Sequence, residues 1–260
     1  MADINAPAPP LLVIEALQVR FGGLQAVQAL DFSIGAGELV GLVGPNGAGK
    51  TTTFNAISGL HPPTAGWVAL RGRDITGLPP EQVSRAGVTR TFQNVRLFAE
   101  LSVLENVMMG AFCRGRCGLL AAMLRVGRHR RTERRARDVA LHWIERLGLG
   151  QYAAQPAVTL PLGLQRVAEV ARALAGEPCL VLLDEPAAGL NTGEKARLTE
   201  LLRVVVADSG CALLLVEHDM PLVMGLAERV IVMDFGRKLA EGTPSEIACN
   251  PDVIRVYLGA

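Results

Sequence analysis

The sequence predicts an α/β fold in which β structure comes first, a mixed sheet follows, and an α-helical subdomain is inserted into the core. Three observations carry this. A short apolar strand, Leu39–Val43, runs into a glycine-rich loop and then into the first turns of a helix, Thr52–Ile57. Two further apolar runs, Cys179–Leu183 and Cys211–Val216, read as central strands of a parallel sheet, where both faces are covered and no polar alternation is needed. Between them and the first strand lies Thr132–Leu147, with apolar Ala136, Val139, Ala140, Trp143, Ile144 and Leu147 near a helical period.

Residues 1–10 read as a proline-rich mobile tail. Leu11–Val19 is a strand and Arg20–Gly23 a turn. Ala29–Ile34 alternates apolar and polar, as a half-buried strand does. The loop Gly44-Pro45-Asn46-Gly47-Ala48-Gly49-Lys50-Thr51 then fits the phosphate-binding pattern G-x-x-x-x-G-K-[ST] at every fixed position. Its glycines let backbone N–H groups wrap an anion. The helix start, with Thr52, adds a positive dipole end. Lys50 is placed to reach the β- and γ-phosphates of a nucleoside triphosphate, and the Thr51 hydroxyl to ligate Mg²⁺. A glycine-rich turn that fits by chance is the competing reading; strand, helix, Lys and Thr together weigh against it. An exposed Phe21 would stack on a base, and a core phenylalanine beside a glycine turn explains its position equally well.

His61–Gly66 ends the first helix. Trp67–Leu70 is a strand, Arg71–Asp74 a turn, and Pro79-Pro80-Glu81 starts a helix that Gly87 ends. Val88–Phe92 is a strand running into Gln93. Val103–Met109 is helical, and the inserted helical lobe spans about 94–160. Leu160–Arg166 breaks the lobe and opens a helix to Ala175. Cys179–Leu183 delivers Asp184 and Glu185 at its C-terminal end, where α/β sheets place ligands. There Asp184 would hold Mg²⁺ through water and Glu185 would polarise the attacking water as general base; surface carboxylates with no task are the alternative. Cys211–Val216 delivers His218 to the same sheet edge, where it could contact a γ-phosphate and sense its presence; a lone structural histidine is the competing reading, and the shared sheet edge favours the functional one. A helix from Thr192 to Ala207, strands Arg229–Met233 and Lys238–Glu241, a helix start at Thr243-Pro244 and a terminal helix Pro251–Leu258 complete the chain.

Composition bounds the function. Half of the 260 residues are hydrophobic, enough for one large core, and a net charge of +1 leaves no global field to recruit nucleic acid. Arg114 to Arg137 holds nine arginines and one acid, Glu133. A solvated helix face and contact with anionic headgroups or an acidic partner loop fit this run equally. Five cysteines without metal-like pairing read as reduced thiols of a cytoplasmic protein. The N-terminus does not read as a secretory signal. No apolar stretch approaches the ~18 to 20 residues that span a bilayer, so any membrane role runs through a partner.

Phosphate loop, Gln93, helical insert, helix-opening motif, Asp184-Glu185 and His218, in this order, resemble the ABC-type ATP-binding cassette over residues 11–260. The resemblance implies a P-loop NTPase core: a mixed sheet with an N-terminal antiparallel β part and an inserted α-helical subdomain. It implies that Phe21 stacks on adenine, that Gln93 joins core to lobe and approaches Mg²⁺, that Ala188–Asn191 crosses to a partner cassette, and that His218 is the switch histidine. In that family two cassettes close head to tail over two ATP molecules, each held between one chain's phosphate loop and the other's helix-opening motif. The segments Arg20–Leu24, Arg90–Phe98, Glu185–Asn191, Glu217–Met220 and Asn250–Ile254 further resemble the ATP-binding subunits of branched-chain amino acid importers. This implies an ATPase peripheral to the cytoplasmic face of the membrane. Its partners would be a second cassette, permease subunits and, indirectly, an external binding protein, with no nucleic acid. Cassettes for lipid or lipopolysaccharide export, and soluble cassettes acting on nucleic acid or ribosomes, are the alternatives; the Asn250–Ile254 segment favours import. The helix-opening motif departs from the family's L-S-G-G-Q. Pro161 offers neither hydroxyl nor N–H, while Gly163 is kept. The site that Gly163 completes on the partner is therefore expected to be weaker than the one holding Lys50 and Glu185.

Overall fold

The structure, a computed structural model, describes residues 9–91, 96–112 and 128–258. The expectations for residues 1–8, for Gln93, and for the arginine-rich run before Arg128 lie outside the described residues. Among the described residues, ten strands form two sheets. β1 (Leu12–Phe21), β2 (Leu24–Ile34), β4 (Ala65–Leu70) and β5 (Arg73–Asp74) make an antiparallel sheet in the order β2-β1-β4-β5. β3 (Leu39–Val43), β6 (Val88–Arg90), β7 (Leu180–Asp184), β8 (Ala212–Val216), β9 (Arg229–Asp234) and β10 (Arg237–Gly242) make the second sheet, ordered β10-β9-β3-β8-β7-β6. Only β10 runs antiparallel in it. The helices are α1 (Lys50–Ile57), α2 (Pro80–Ala86), α3 (Val103–Phe112), α4 (Arg128–Arg146), α5 (Leu162–Ala175), α6 (Thr192–Ser209), α7 (Met220–Leu226), α8 (Pro244–Ala248) and α9 (Pro251–Leu258).

The apolar runs are central strands because side chains alternate between two cores. Val40, Leu42, Leu180, Leu182 and Leu214 pack with Phe54 and Ile57 of α1 and with the antiparallel sheet. Leu39, Val43, Val181, Leu183, Leu213 and Leu215 pack with α5, α6 and α7. Every residue of β3, β7 and β8 is buried. At roughly 25 cal/mol per Å² of apolar surface removed from water, burying these strands on both faces is strongly stabilising. Their C-terminal ends and the start of α1 share one edge of the sheet, and that edge holds the candidate site.

Several boundaries move. β2 begins at Leu24, not Ala29, and β1 runs through Arg20 to Phe21, leaving only Gly22 and Gly23 as the turn. The alternation that marks β2 is interrupted at Ala29, which has φ +44°, and a separate irregularity of β1 falls at Ala16, with φ +48°; such irregularities in the ladder reset the side-chain period. Arg73 and Asp74, read as part of a turn, pair with Leu70 and Ala69. β6 ends at Arg90. α1 begins at Lys50, because Gly49 at φ +100° turns the chain directly into the helix. α4 begins at Arg128 instead of Thr132 and α6 runs to Ser209; their extra turns carry charge or polar residues and no apolar period to read. α7 is unheralded by periodicity and is fixed at its start by Asp219, whose Oδ1 accepts from Leu222 N at 3.1 Å.

Candidate active site

The phosphate loop is held open by its glycines and pinned from behind. Gly44 lies at φ +151°, and a Cβ there would stand 2.1 Å from the Met233 carbonyl oxygen. Gly49 is similarly pressed against the Ala26 carbonyl, and Gly236 N donates to Ala48 O at 3.0 Å. Asn46 and Gly47 are exposed at the tip, Pro45 is half-buried and Ala48 buried. Gly49 caps α1 without a side-chain acceptor, so the first-turn N–H groups of Lys50, Thr51 and Thr52 face outward, the arrangement that suits an anion. Replacing Gly44 with alanine forces β3 away from β9, and we expect a loss of about 3 kcal/mol, read as a lower thermal midpoint; an unchanged midpoint would contradict the packing described.

Lys50 is buried, and its Nζ donates to Gly44 O at 2.7 Å and Pro45 O at 2.9 Å. Burial pulls its ammonium below the usual lysine range, while the nearby carboxylates of Glu185 and Asp184 pull it back up. The structure thus brings Lys50, Asp184 and Glu185 into one electrostatic field. Thr51 is exposed and Thr52 half-buried.

Asp184 closes β7 and is buried; its Oδ2 accepts from Arg90 at 2.7 Å. Glu185 follows at φ +48°, a left-handed conformation unusual for a non-glycine residue. Its N–H donates to Val216 O at 2.9 Å, which ties the acid to the end of β8. Its Oε1 stands 3.0 Å from His218 Nε2. A carboxylate only accepts, so Nε2 carries the proton whenever Glu185 is ionised. His218 is anchored from both sides. Glu217, buried, accepts from His218 N at 3.1 Å and from Ala187 N at 2.7 Å. Burial raises the Glu217 pKa against the opposing effect of these backbone donors, and the charge of Glu185 adds to the rise. On the other side, Asp219 pairs with Lys195 of α6 at 2.6 Å.

Phe21 is 46% exposed at the end of β1, outside the core, with its ring centroid 4.6 Å from that of His61. Gly163 is brought to a different surface. It lies in the first turn of α5, where a Cβ would stand 2.8 Å from Glu194 Oε1 of α6. Pro161 leaves α5 without a side-chain cap, and Gln165 folds back to donate to Leu160 O at 2.7 Å. Asn191 caps α6 in a reciprocal box with Glu194. An asparagine oxygen accepts from the N3 backbone as an aspartate does; Asn191→Ala is expected to cost about 1 kcal/mol, measured by denaturant unfolding.

Arg90 and Glu217 are functional candidates that no sequence motif singles out individually. An arginine ending a short strand, and an acid directly before the strand-end histidine, are the local signals of both; each is a charge that burial must compensate.

An ATP-binding cassette is the class of protein that this fold and sheet edge define. A family model described as ABC transporter matches residues 27–188, and the chain belongs to that family. A second model, described as branched-chain amino acid ATP-binding cassette transporter, matches residues 237–260. The chain is 46% identical to the high-affinity branched-chain amino acid transport ATP-binding protein LivG of Escherichia coli, over 96% of this chain and 98% of that protein. It is 43% identical to BraF of Pseudomonas aeruginosa, of the same description, over the same shares. Among solved structures, a nucleotide-free ATP-binding cassette from an ABC transporter superposes with a TM-score of 0.84 at 27% identity, covering 97% of this chain and 100% of the other. An ADP-bound conformation of an ABC transporter cassette gives 0.84 at 28% identity over the same shares.

Proposed function

We propose that this chain binds and hydrolyses ATP as a subunit of an importer of branched-chain amino acids. The observation that carries the reading is the identity to LivG over nearly the whole of both chains. ATP lies with its phosphates on the loop N–H groups and Lys50 and its base on Phe21. Glu185 takes the proton of the attacking water as its oxygen bonds to the γ-phosphorus and ADP leaves; His218, hydrogen-bonded to Oε1, orients the carboxylate. The residues present fit Mg²⁺: Thr51 offers a hydroxyl at the loop mouth and Asp184 a carboxylate at the adjoining strand end, both hard oxygen donors. When bound, the ion neutralises phosphate charge. Gln93 is assigned to the same site by resemblance alone. Gly163 serves the loop of a second cassette, and the helical lobe, residues 94–160, carries ATP-driven closure to the membrane subunits.

The permease seat is the groove of about 340 Å³ between α3, α5 and β6, lined by Ser84, Thr89, Arg90, Phe98, Met109 and Arg172. Phe98 and Met109 are exposed there, an apolar pair suited to a partner anchor. Met109→Asp is expected to abolish co-purification with the permease subunits while the isolated chain still binds ATP; retained co-purification would move the seat elsewhere.

The substrate reading is tested by uptake. In cells lacking this chain, radiolabelled leucine, isoleucine and valine uptake should fall to background and return with the wild-type gene. Unchanged uptake of all three would point to another cargo for the same engine.

A further inference from the structure

Arg90 sits where three parts of the molecule meet. It ends β6, and its side chain is 9% exposed. One terminal nitrogen donates to Asp184 Oδ2 at 2.7 Å. The other donates to Asn55 Oδ1 at 2.6 Å and Ser58 Oγ at 3.3 Å, at the far end of the phosphate-loop helix. The guanidinium also lies 5.7 Å from the centroid of the Phe54 ring of α1, within the range of a cation–π contact. The same residue lines the groove that holds Phe98 and Met109.

We infer that Arg90 is a positioning residue that holds Asp184 and α1 in register and makes their register sensitive to what occupies the groove. A planar guanidinium with divergent donors can hold a carboxylate and an amide at once, which a lysine ammonium on a flexible stem cannot do with the same rigidity. The Asp184 carboxylate is thus aimed by a side chain reachable from the opposite surface. A partner residue that displaces or presses on Arg90 shifts Asp184 relative to the phosphate loop without touching the nucleotide. The inference rests on the proposed roles of Asp184 and of the groove.

The test compares Arg90→Lys and Arg90→Gln with wild type and with Asp184→Asn. The first readout is the affinity of the isolated chain for a fluorescent ATP analogue, in Mg²⁺ and in EDTA. Arg90→Lys should bind as wild type does in EDTA and lose about 10-fold of the Mg²⁺-dependent gain, the usual cost of removing a group that orients a metal-binding carboxylate. The second readout is the stimulation of hydrolysis on assembly with the permease subunits, expected to drop about 5-fold or more. Arg90→Gln, neutral and shorter, should lose both and keeps the test open if the lysine variant misfolds. A wild-type Mg²⁺ gain in a folded Arg90 variant overturns the inference, and so does a lost gain with stimulation intact. If Asp184→Asn itself keeps the Mg²⁺ gain, the metal role of Asp184 has failed and takes this inference down with it, a result distinguishable from failure at Arg90 alone.

Discussion

Glu185→Gln is expected to bind ATP within about 2-fold of wild type and to hydrolyse it about 10³-fold more slowly, in the range lost with a general base. The geometry separates the two effects. Glu185 lies beside the phosphate loop, and its carboxylate meets His218 while its N–H donates to Val216. The contacts proposed from the loop and Lys50 to the phosphates are untouched by the substitution. The amide is nearly isosteric and still accepts from His218 Nε2, so ring and backbone stay in place while the capacity to take a proton is lost. The left-handed backbone at Glu185 is shared by both side chains, so no new strain arises. Single-turnover phosphate release together with equilibrium ATP binding checks both halves. Wild-type turnover would remove Glu185 as the base, and lost binding would make it a ligand contact.

Lys50→Ala should weaken ATP binding by about 100-fold, near the 3 kcal/mol typical of removing one partner of a buried charged pair. Lys50 now folds back on the loop, donating to the Gly44 and Pro45 carbonyls. The same ammonium is already partly desolvated and sits in the field of Asp184 and Glu185, so a phosphate gains a cation with little further loss of hydration. Lys50→Arg should not rescue binding, since a planar fork of fixed donors is not interchangeable with a compact ammonium donating to two adjacent carbonyls. Isothermal titration gives the change directly; affinity within threefold of wild type would place the phosphates away from Lys50.

What was legible in the sequence is what local chemistry dictates. Leu39–Val43, the glycine loop and the helix start occupy one continuous stretch, so the phosphate site can be read without knowing the fold. The runs ending at Leu183 and Val216 announced buried strands, and strand ends place Asp184, Glu185 and His218 on one edge once a parallel sheet is assumed. The rest depends on residues far apart in the chain. Arg90 meets Asn55 and Asp184 only through tertiary packing. Glu217 finds its donor Ala187 across two strand ends. The start of β2 was hidden because a backbone irregularity at Ala29 broke its alternation, and the first turn of α4 because charged residues carry no period. The altered motif at 160–166 could be read as a departure, but not that Gln165 would fold back to Leu160 or that the Glu194 side chain would stand where a Cβ on Gly163 would meet it.

The central claim is that ATP hydrolysis at this site drives import of branched-chain amino acids. It is tested most directly in proteoliposomes assembled from this chain, its partner cassette and the permease subunits, with ATP supplied on the cassette side. Adding the external binding protein loaded with leucine should raise phosphate release several-fold (about 5-fold or more) and move labelled leucine across the bilayer, and Glu185→Gln should abolish both. Phosphate release indifferent to the loaded binding protein, with no leucine moved, would contradict the account.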